Sequence, residues 1–361
     1  MPKFCGGSSK EAKKKLAAYF FGGVASEKVS WYLLRMKIRC SIIGLGFWGK
    51  IFLAKILKNP HFELNAVVSR SKPQLDLGGA RHFFTAEEAF AECPVDLVFI
   101  LSPLEQHFKV ATLALSYSQN IFLTKPIVAN AKEAMALKRL ALRKSVHIFV
   151  DHTFLFNQNF LKFQSMLAGK KMKSLASTRT QFGKFQKGSD VLGELLYHDI
   201  YMSLVLMGGV MPLAVQAVGG QSATIAGRSK PSINQCTLSL EYSSGCRLEL
   251  FGSMNFERKF KIMNAMTENH ITSWQDMAPS ILTQVKYKSG FGSNAKLGPA
   301  KNITQPFPPQ KDAIEAMFKH IEKCLAQKKN SRIIGIDQGI EIMQIIDAAR
   351  KSHRIGRRVK L

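Results

Sequence analysis

The chain has 361 residues, of which 46% are hydrophobic and 21% are charged. This length exceeds what one simple core usually holds, and the composition excludes a disordered chain. The net charge of +26 is compatible with nucleic acid, anionic membranes or phosphorylated ligands, or with a lysine-rich proteome alone. Because the Lys and Arg residues are scattered, without zinc-finger spacing or an aromatic RNA-binding signature, we do not expect nucleic acid as a partner.

The N-terminus has three interpretations. A lysine run at residues 13–15 precedes the apolar run 16–25, which is typical of a signal peptide, a cationic tail or translated upstream sequence. We favour the last two, because Met36 directly precedes the first predicted strand, and we assign residues 1–36 to a basic extension, disordered or not native. No apolar run approaches the ~20 residues that span a bilayer. Six scattered cysteines without a C-x-x-C pair favour the reducing cytoplasm.

Strands alternate with helices in the first part of the chain. Apolar, β-branched runs predict strands at residues 38–43, 63–69, 96–101, 120–123 and 147–150. Periodicity predicts helices at residues 50–58, 104–117 and 129–144, and Thr85 is a predicted N-cap. This alternation indicates a parallel sheet of βαβ units, so residues 37–150 are predicted to form a Rossmann NAD(P)-binding domain.

The pattern changes after residue 151. Helices are predicted at residues 159–168, 193–207, 311–327 and 337–352, and strands at residues 213–218, 235–242, 246–253 and 281–287. Residues 290–309, rich in Gly, Pro, Ser and Asn, are predicted to form a loop. Residues 151–361 therefore form a predicted C-terminal α/β domain, a sheet with helices on one side, for substrate binding and oligomerisation.

A G-x-G-x-x-G motif follows the first strand and opens the first helix. Gly44, Gly46 and Gly49 permit a tight turn and let backbone N–H groups approach a pyrophosphate at the helix N-terminus. Phe47 and Trp48 lie inside this predicted cofactor motif, where we expect them to contribute packing more than direct contact.

The end of the second strand bears on the choice of cofactor. An acidic residue about 20 positions beyond the glycines binds the ribose hydroxyls of NAD. Here the sequence reads Ser69, Arg70, Ser71 and Lys72, without a carboxylate. Because a guanidinium suits a 2′-phosphate, NADP is preferred over NAD. The alternative is that Arg70 stacks on the adenine and accepts either cofactor.

With these residues placed, residues 36–352 resemble the glucose–fructose oxidoreductase and inositol dehydrogenase family (Gfo/Idh/MocA). Ser102 and Pro103, followed by His107, look like the family segment that lies near the cofactor. Thr124 and Lys125, followed by proline, occupy the place of the family's E-K-P motif, whose lysine lies by the nicotinamide and the substrate.

The second domain carries two further matches. Residues 150–157 are similar to the family's domain start and give His152 and Asn157 as candidate substrate contacts, with a core role as the alternative for His152. Residues 193–199 resemble the D-x-x-x-H segment that provides the catalytic histidine, here His198, with Glu194 in place of Asp. The wider stretch 183–199 looks most like the nucleotide-sugar and sugar dehydrogenase branch.

The resemblance implies an N-terminal doubly wound parallel sheet and a C-terminal α+β domain with a large, mostly antiparallel open sheet that mediates homo-oligomers. It also implies hydride transfer between a nicotinamide and a secondary hydroxyl or ketone of a sugar, cyclitol or nucleotide sugar. A neutral-range histidine, His198, suits proton transfer, and Glu194 four residues earlier lies on the same helical face. Lys125 suits hydrogen bonding to an alkoxide.

Other observations limit this interpretation. The nine histidines form neither an H-x-x-x-H nor an H-E-x-x-H pattern, so no metal is expected. Asp199 is predicted to be structural, capping a helix or pairing with a base. Thr124 removes a charge beside Lys125, which motivates an alternative function: a non-catalytic NADP(H)-binding sensor or regulatory protein of the same fold.

Overall fold

The computed structural model describes residues 37–183, 190–221, 233–288, 296–302 and 312–361. The predicted extension 1–36 and most of the predicted loop 290–309 lie outside these residues. The described residues form two compact units. The first unit holds those of 24–153 and 312–343, and the second holds those of 154–311 and 344–361.

The secondary structure follows the predicted alternation in the first unit and adds several strands in the second. The strands are β1 (Ile38–Ile43), β2 (Phe62–Val68), β3 (Arg81–Phe83), β4 (Leu97–Ile100), β5 (Asn120–Leu123), β6 (Ile148–Val150), β7 (Met172–Phe182), β8 (Ala214–Gln221), β9 (Ile233–Glu241), β10 (Arg247–Ser253), β11 (Asn255–Thr267), β12 (His270–Gln275), β13 (Ile281–Lys288), β14 (Lys296–Asn302) and β15 (Val359–Lys360). The α-helices are α1 (Phe47–Lys58), α2 (Ala86–Glu92), α3 (Leu104–Ser116), α4 (Ala131–Lys144), α5 (Gln158–Leu167), α6 (Tyr197–Leu206), α7 (Ala313–Ala326) and α8 (Ile336–Ile355).

The first unit is built on a six-stranded parallel sheet of order β3-β2-β1-β4-β5-β6. The chain leaves β1 toward β2 on one side and later toward β4 on the other, so the strand order reverses beside β1. In such doubly wound sheets, ligands bind at the carboxyl ends of the strands next to this reversal. The predicted Rossmann architecture is confirmed. Thr85 also caps α2 in a capping box with Glu88, as predicted.

Residues 312–343 pack with this first unit, which differs from the single domain predicted for residues 151–361. Phe318 of α7 lies 5.2 Å from Phe62, 5.6 Å from Phe52 and 5.6 Å from Phe99, measured between ring centroids. Val150 donates a backbone hydrogen bond of 2.8 Å to Ile334. An amphipathic pattern gives a helix an apolar face but does not say which core receives it.

The second unit contains a nine-stranded sheet of order β14-β13-β12-β11-β7-β10-β9-β8-β15. Among the described strand pairs, β7 and β10 run parallel and the others antiparallel, which confirms the predicted mostly antiparallel sheet. The loop predicted over residues 290–309 is wrong for residues 296–302, which form β14. This strand pairs on one side only, with β13, and an edge strand tolerates a proline such as Pro299 because it needs fewer ladder hydrogen bonds.

Candidate active site

The glycine turn between β1 and α1 has two tightly packed glycines and one open one. Gly44 has φ +101°, and a Cβ there would lie 2.7 Å from the backbone of Ser102. A Cβ on Gly49 would lie 2.2 Å from the Gly44 carbonyl oxygen. A Cβ on Gly46 would meet nothing within 4 Å, so the open space lies in front of the helix N-terminus.

The same turn has the features that a dinucleotide pyrophosphate requires. Gly46 is the N-cap of α1 and offers no capping side chain, so the first-turn N–H groups are not taken by one. The buried Ser102 Oγ has no hydrogen-bond partner among the described residues. The turn therefore combines uncapped N–H donors, a buried hydroxyl without a partner and open space at Gly46. These features fit NAD(P), which the turn would hold by its phosphates.

The two aromatic residues of the motif are exposed rather than packed. Phe47 is 71% exposed and Trp48 is 37% exposed, and their rings meet edge to face with centroids 5.7 Å apart. The expectation that they mainly contribute packing is therefore wrong for Phe47. Both residues directly follow Gly46 in the chain, and their exposed rings are accessible to a ligand.

The end of β2 presents cations to solvent. Ser69 Oγ donates a 2.7 Å hydrogen bond to the Ser71 carbonyl and lies 3.0 Å from His82 Nε2. Arg70 and Lys72 are exposed directly beside this hydrogen-bonded turn. The arrangement fixes the backbone that carries Arg70 and leaves its guanidinium accessible. Sequence reasoning did not single out His82.

His107 is buried, and it connects two loops instead of facing a ligand. Its Nδ1 lies 3.0 Å from the Pro126 carbonyl oxygen, and its Nε2 lies 2.8 Å from the Ser102 carbonyl oxygen. The Thr124 hydroxyl lies 3.4 Å from the same Nε2. Burial lowers the pKa of His107. We conclude that His107 positions the Ser102-Pro103 turn against the loop that carries Lys125.

Lys125 follows the carboxyl end of β5, and a carboxylate follows the neighbouring strand β6. The Asp151 N–H donates a 2.9 Å hydrogen bond to the Leu123 carbonyl. Its carboxylate accepts hydrogen bonds from the backbone N–H and the hydroxyl of Thr153. Burial raises the pKa of Asp151, while the Thr153 bonds and the charge of Lys125 act in the opposite direction. Sequence reasoning missed Asp151, although it stands at the carboxyl end of a parallel strand.

The two candidate substrate residues have structural positions. His152 is 0% exposed, and burial lowers its pKa to about 3, which agrees with the core alternative. Asn157 is the N-cap of α5, where its Oδ1 accepts hydrogen bonds from the N–H groups of Asn159 at 2.9 Å and Phe160 at 3.2 Å. These contacts argue against a substrate role for His152 and commit the Asn157 amide oxygen to a helix cap.

In the second unit, His198 lies at the start of α6, directly after a π-helical turn over Leu192–Leu196 that includes Glu194. The imidazole Nδ1 lies 3.2 Å from the Tyr201 hydroxyl. That hydroxyl also accepts a 3.2 Å hydrogen bond from the Phe154 N–H, and the Phe154 ring meets the imidazole edge to face at 5.2 Å. Isolated π-helical turns often occur at functional sites. Sequence reasoning missed Tyr201, because a tyrosine in an apolar helix has the pattern of a core residue.

A buried ion pair stands beside this histidine. Asp199 accepts hydrogen bonds from Arg179 Nε at 2.6 Å and Nη2 at 3.4 Å, which confirms the predicted pairing of Asp199 with a base. Arg179 and Lys261 each lie 5.0 Å from the centroid of the Phe154 ring, and Lys261 pairs with Asp276 at 2.7 Å. Both pairs line one small, open cavity within the second unit.

Within the described ranges, no group of three or more His, Cys, Asp and Glu side chains is placed to hold a metal ion. No helix in the part of the chain that the structure describes is long and apolar enough to cross a bilayer. The five described cysteines are free and buried, and burial raises the pKa of Cys236 to about 12 and that of Cys324 to about 11.

Known proteins are similar to this chain in sequence and in fold. Residues 38–152 match the Gfo/Idh/MocA model, an oxidoreductase family with an NAD-binding Rossmann fold. The NADP(+)-dependent scyllo-inositol 2-dehydrogenase IolW of Bacillus subtilis strain 168 is 20% identical over 90% of this chain and 96% of its own. The UDP-N-acetylglucosamine 3-dehydrogenase of Acidithiobacillus ferrooxidans is 26% identical over 52% of this chain and 59% of its own.

Solved structures agree on the fold. The crystal form of that Acidithiobacillus ferrooxidans enzyme aligns with a TM-score of 0.71 and 19% identity over 88% of this chain and 97% of that one. GenD2 from gentamicin A biosynthesis, solved with NAD, aligns with a TM-score of 0.74 and 17% identity over 91% and 97% of the two chains. Residues 38–152 therefore belong to the Gfo/Idh/MocA oxidoreductase family with its NAD-binding Rossmann fold, and the chain as a whole shares its fold with these solved oxidoreductases.

Proposed function

We propose that this protein transfers a hydride between NADP(H) and a secondary hydroxyl or ketone of a sugar, cyclitol or nucleotide sugar. The observation that carries the proposal is the glycine turn with its open Gly46 position and the orphaned Ser102 hydroxyl. Two relatives support this substrate range: one is named a scyllo-inositol 2-dehydrogenase and the other a UDP-N-acetylglucosamine 3-dehydrogenase.

The proton and the developing charge are handled by side chains. The nicotinamide supplies hydride exchange when it is bound. The His198 imidazole, whose Nδ1 lies 3.2 Å from the Tyr201 hydroxyl, accepts the substrate hydroxyl proton. Lys125 donates a hydrogen bond to the alkoxide as its charge grows. Glu194, at the π-helical turn before His198, favours the imidazolium that forms.

The catalytic assignment is tested by replacing the histidine. His198→Ala should lower turnover by about 10²–10⁴-fold, the usual contribution of a positioned general base, with NADPH affinity nearly unchanged. His61→Ala, on the turn between α1 and β2, is the matched control and should behave as wild type. A sugar and polyol panel with NADP⁺ or NADPH gives the measurement. Unchanged turnover in His198→Ala would reject the assignment.

The preference for NADP depends on Arg70. Its exposed guanidinium next to the Ser69–Ser71 turn suits a bidentate contact with a 2′-phosphate. Arg70→Ala should weaken NADPH binding by about 10-fold or more and NADH binding far less. Equal losses for both cofactors, measured by calorimetry, would favour adenine stacking instead.

A second candidate function is a non-catalytic NADP(H) sensor, which Thr124 in place of the family glutamate favours. It predicts cofactor binding without turnover on any carbohydrate, so the same panel separates the two functions.

The homo-oligomer through the C-terminal sheet stays a prediction. Exposed apolar side chains on this sheet favour it: Phe182, Val218, Phe256 and Leu297.

A further inference from the structure

The carboxylate of Asp151 stands at the level of the residue that precedes Lys125. Strands β5 and β6 run parallel with Leu123 opposite Val150. One residue further along, the Asp151 N–H continues the ladder by donating to the Leu123 carbonyl at 2.9 Å. Thr124 and Asp151 are therefore neighbours across the end of the sheet, and Lys125 is the next residue of the same loop.

Asp151 is a buried, hydrogen-bonded carboxyl group rather than a surface carboxylate. It is 6% exposed, and its Oδ1 accepts both donors of Thr153. A buried carboxylate is costly unless hydrogen bonds or a cation compensate its charge. Lys125 is the cation whose charge acts on it in this structure, favouring the ionised form.

Thr124 does not provide that charge. It is buried, its N–H donates to the Ile100 carbonyl at 3.2 Å, and its hydroxyl lies beside the His107 ring. The E-K-P motif that this segment resembles has a glutamate at this place. The first unit nevertheless brings one carboxylate to the lysine loop, from the adjacent strand.

We propose that Asp151 is the positioning residue for Lys125 and replaces, from strand β6, the carboxylate that position 124 lacks. The carboxylate restrains the ammonium group and so directs its remaining N–H donors toward the substrate oxygen. Only the catalytic consequence rests on the proposed function; the charge pair itself does not.

Turnover tests the catalytic consequence. Asp151→Asn should lower kcat by about 10- to 100-fold through a misplaced amine, while the NADPH dissociation constant changes less than about twofold. In a Lys125→Met background, Asp151→Asn should lower kcat no further, because the group it positions is gone. Thr124→Glu in the Asp151→Asn protein should restore part of the rate. Asp96→Asn, a carboxylate before β4 at the opposite end of the same sheet, is the control and should leave kcat unchanged.

Thermal unfolding tests the charge pair without any substrate. The unfolding midpoint is measured for wild type, Asp151→Asn, Lys125→Met and the double variant. The change in midpoint of the double variant should differ from the sum of the two single changes by about 2 °C or more. If no carbohydrate is turned over but this coupling is found, the proposed function fails and the pair stands. Additive midpoints, or a kcat unaffected by Asp151→Asn, would overturn the inference. Asp151→Ser provides a second uncharged variant, and failure of both to fold would make Asp151 structural and overturn it as well.

Discussion

Removal of one carboxylate is expected to destabilise the second unit severely. The side chains of Arg179 and Asp199 are only 6% and 3% exposed, so Asp199→Ala leaves a guanidinium charge buried without its bidentate partner. Breaking such a pair typically costs about 3–5 kcal/mol. That loss corresponds to a fall of roughly 10 °C in the unfolding midpoint of a unit of this size. Because Asp199 follows His198 on α6, turnover should be lost at temperatures where the wild type is stable.

The matched control is the second ion pair on the same cavity. The side chains of Lys261 and Asp276 are 18% and 20% exposed, so water partly solvates the lysine left by Asp276→Ala, and the expected cost is only about 1 kcal/mol. Urea unfolding followed by circular dichroism gives both values. The double change Arg179→Met with Asp199→Leu should recover most of the stability, because no charge is then left buried. A loss below about 1 kcal/mol for Asp199→Ala would refute the reasoning.

Two further predictions concern the first unit. Gly46→Ala should fold with near wild-type stability, because its Cβ meets nothing within 4 Å, yet it should bind NADPH at least about 10-fold more weakly. Gly49→Ala should lose stability as well, because its Cβ would lie 2.2 Å from the Gly44 carbonyl oxygen. Calorimetry and thermal unfolding separate the two, and equal behaviour of both variants would contradict the assigned roles. The folded-state pKa of His152 is lowered to about 3, so the unfolded chain binds the extra proton and stability falls as the pH drops from 6.5 toward 3. Urea unfolding at pH 7, 6 and 5 should show a slope steeper in wild type than in His152→Asn by up to about 1.4 kcal/mol per pH unit, and parallel slopes would contradict a neutral buried imidazole.

The sequence predicted the Rossmann half well because its signals are local. The apolar runs of β1, β4 and β5 are buried in the sheet, and a buried parallel strand reads as a continuous hydrophobic segment. The glycine motif needs a particular backbone at Gly44, and that requirement is visible in the residue type itself. Strands β7, β11 and β12 were missed, since their sequences are polar on the exposed face of the sheet and carry no turn signal of their own.

By itself, then, the sequence determined the doubly wound sheet, the glycine turn and the absence of a carboxylate directly after β2, and it predicted the histidine segment. Tertiary structure alone decided which core receives α7, that His107 and His152 are buried, that Tyr201 contacts His198 and that Asp151 lies beside the lysine loop. The physical reason is that periodicity and turn chemistry act over a few neighbouring residues, whereas burial and charge pairing depend on groups that are distant in the chain.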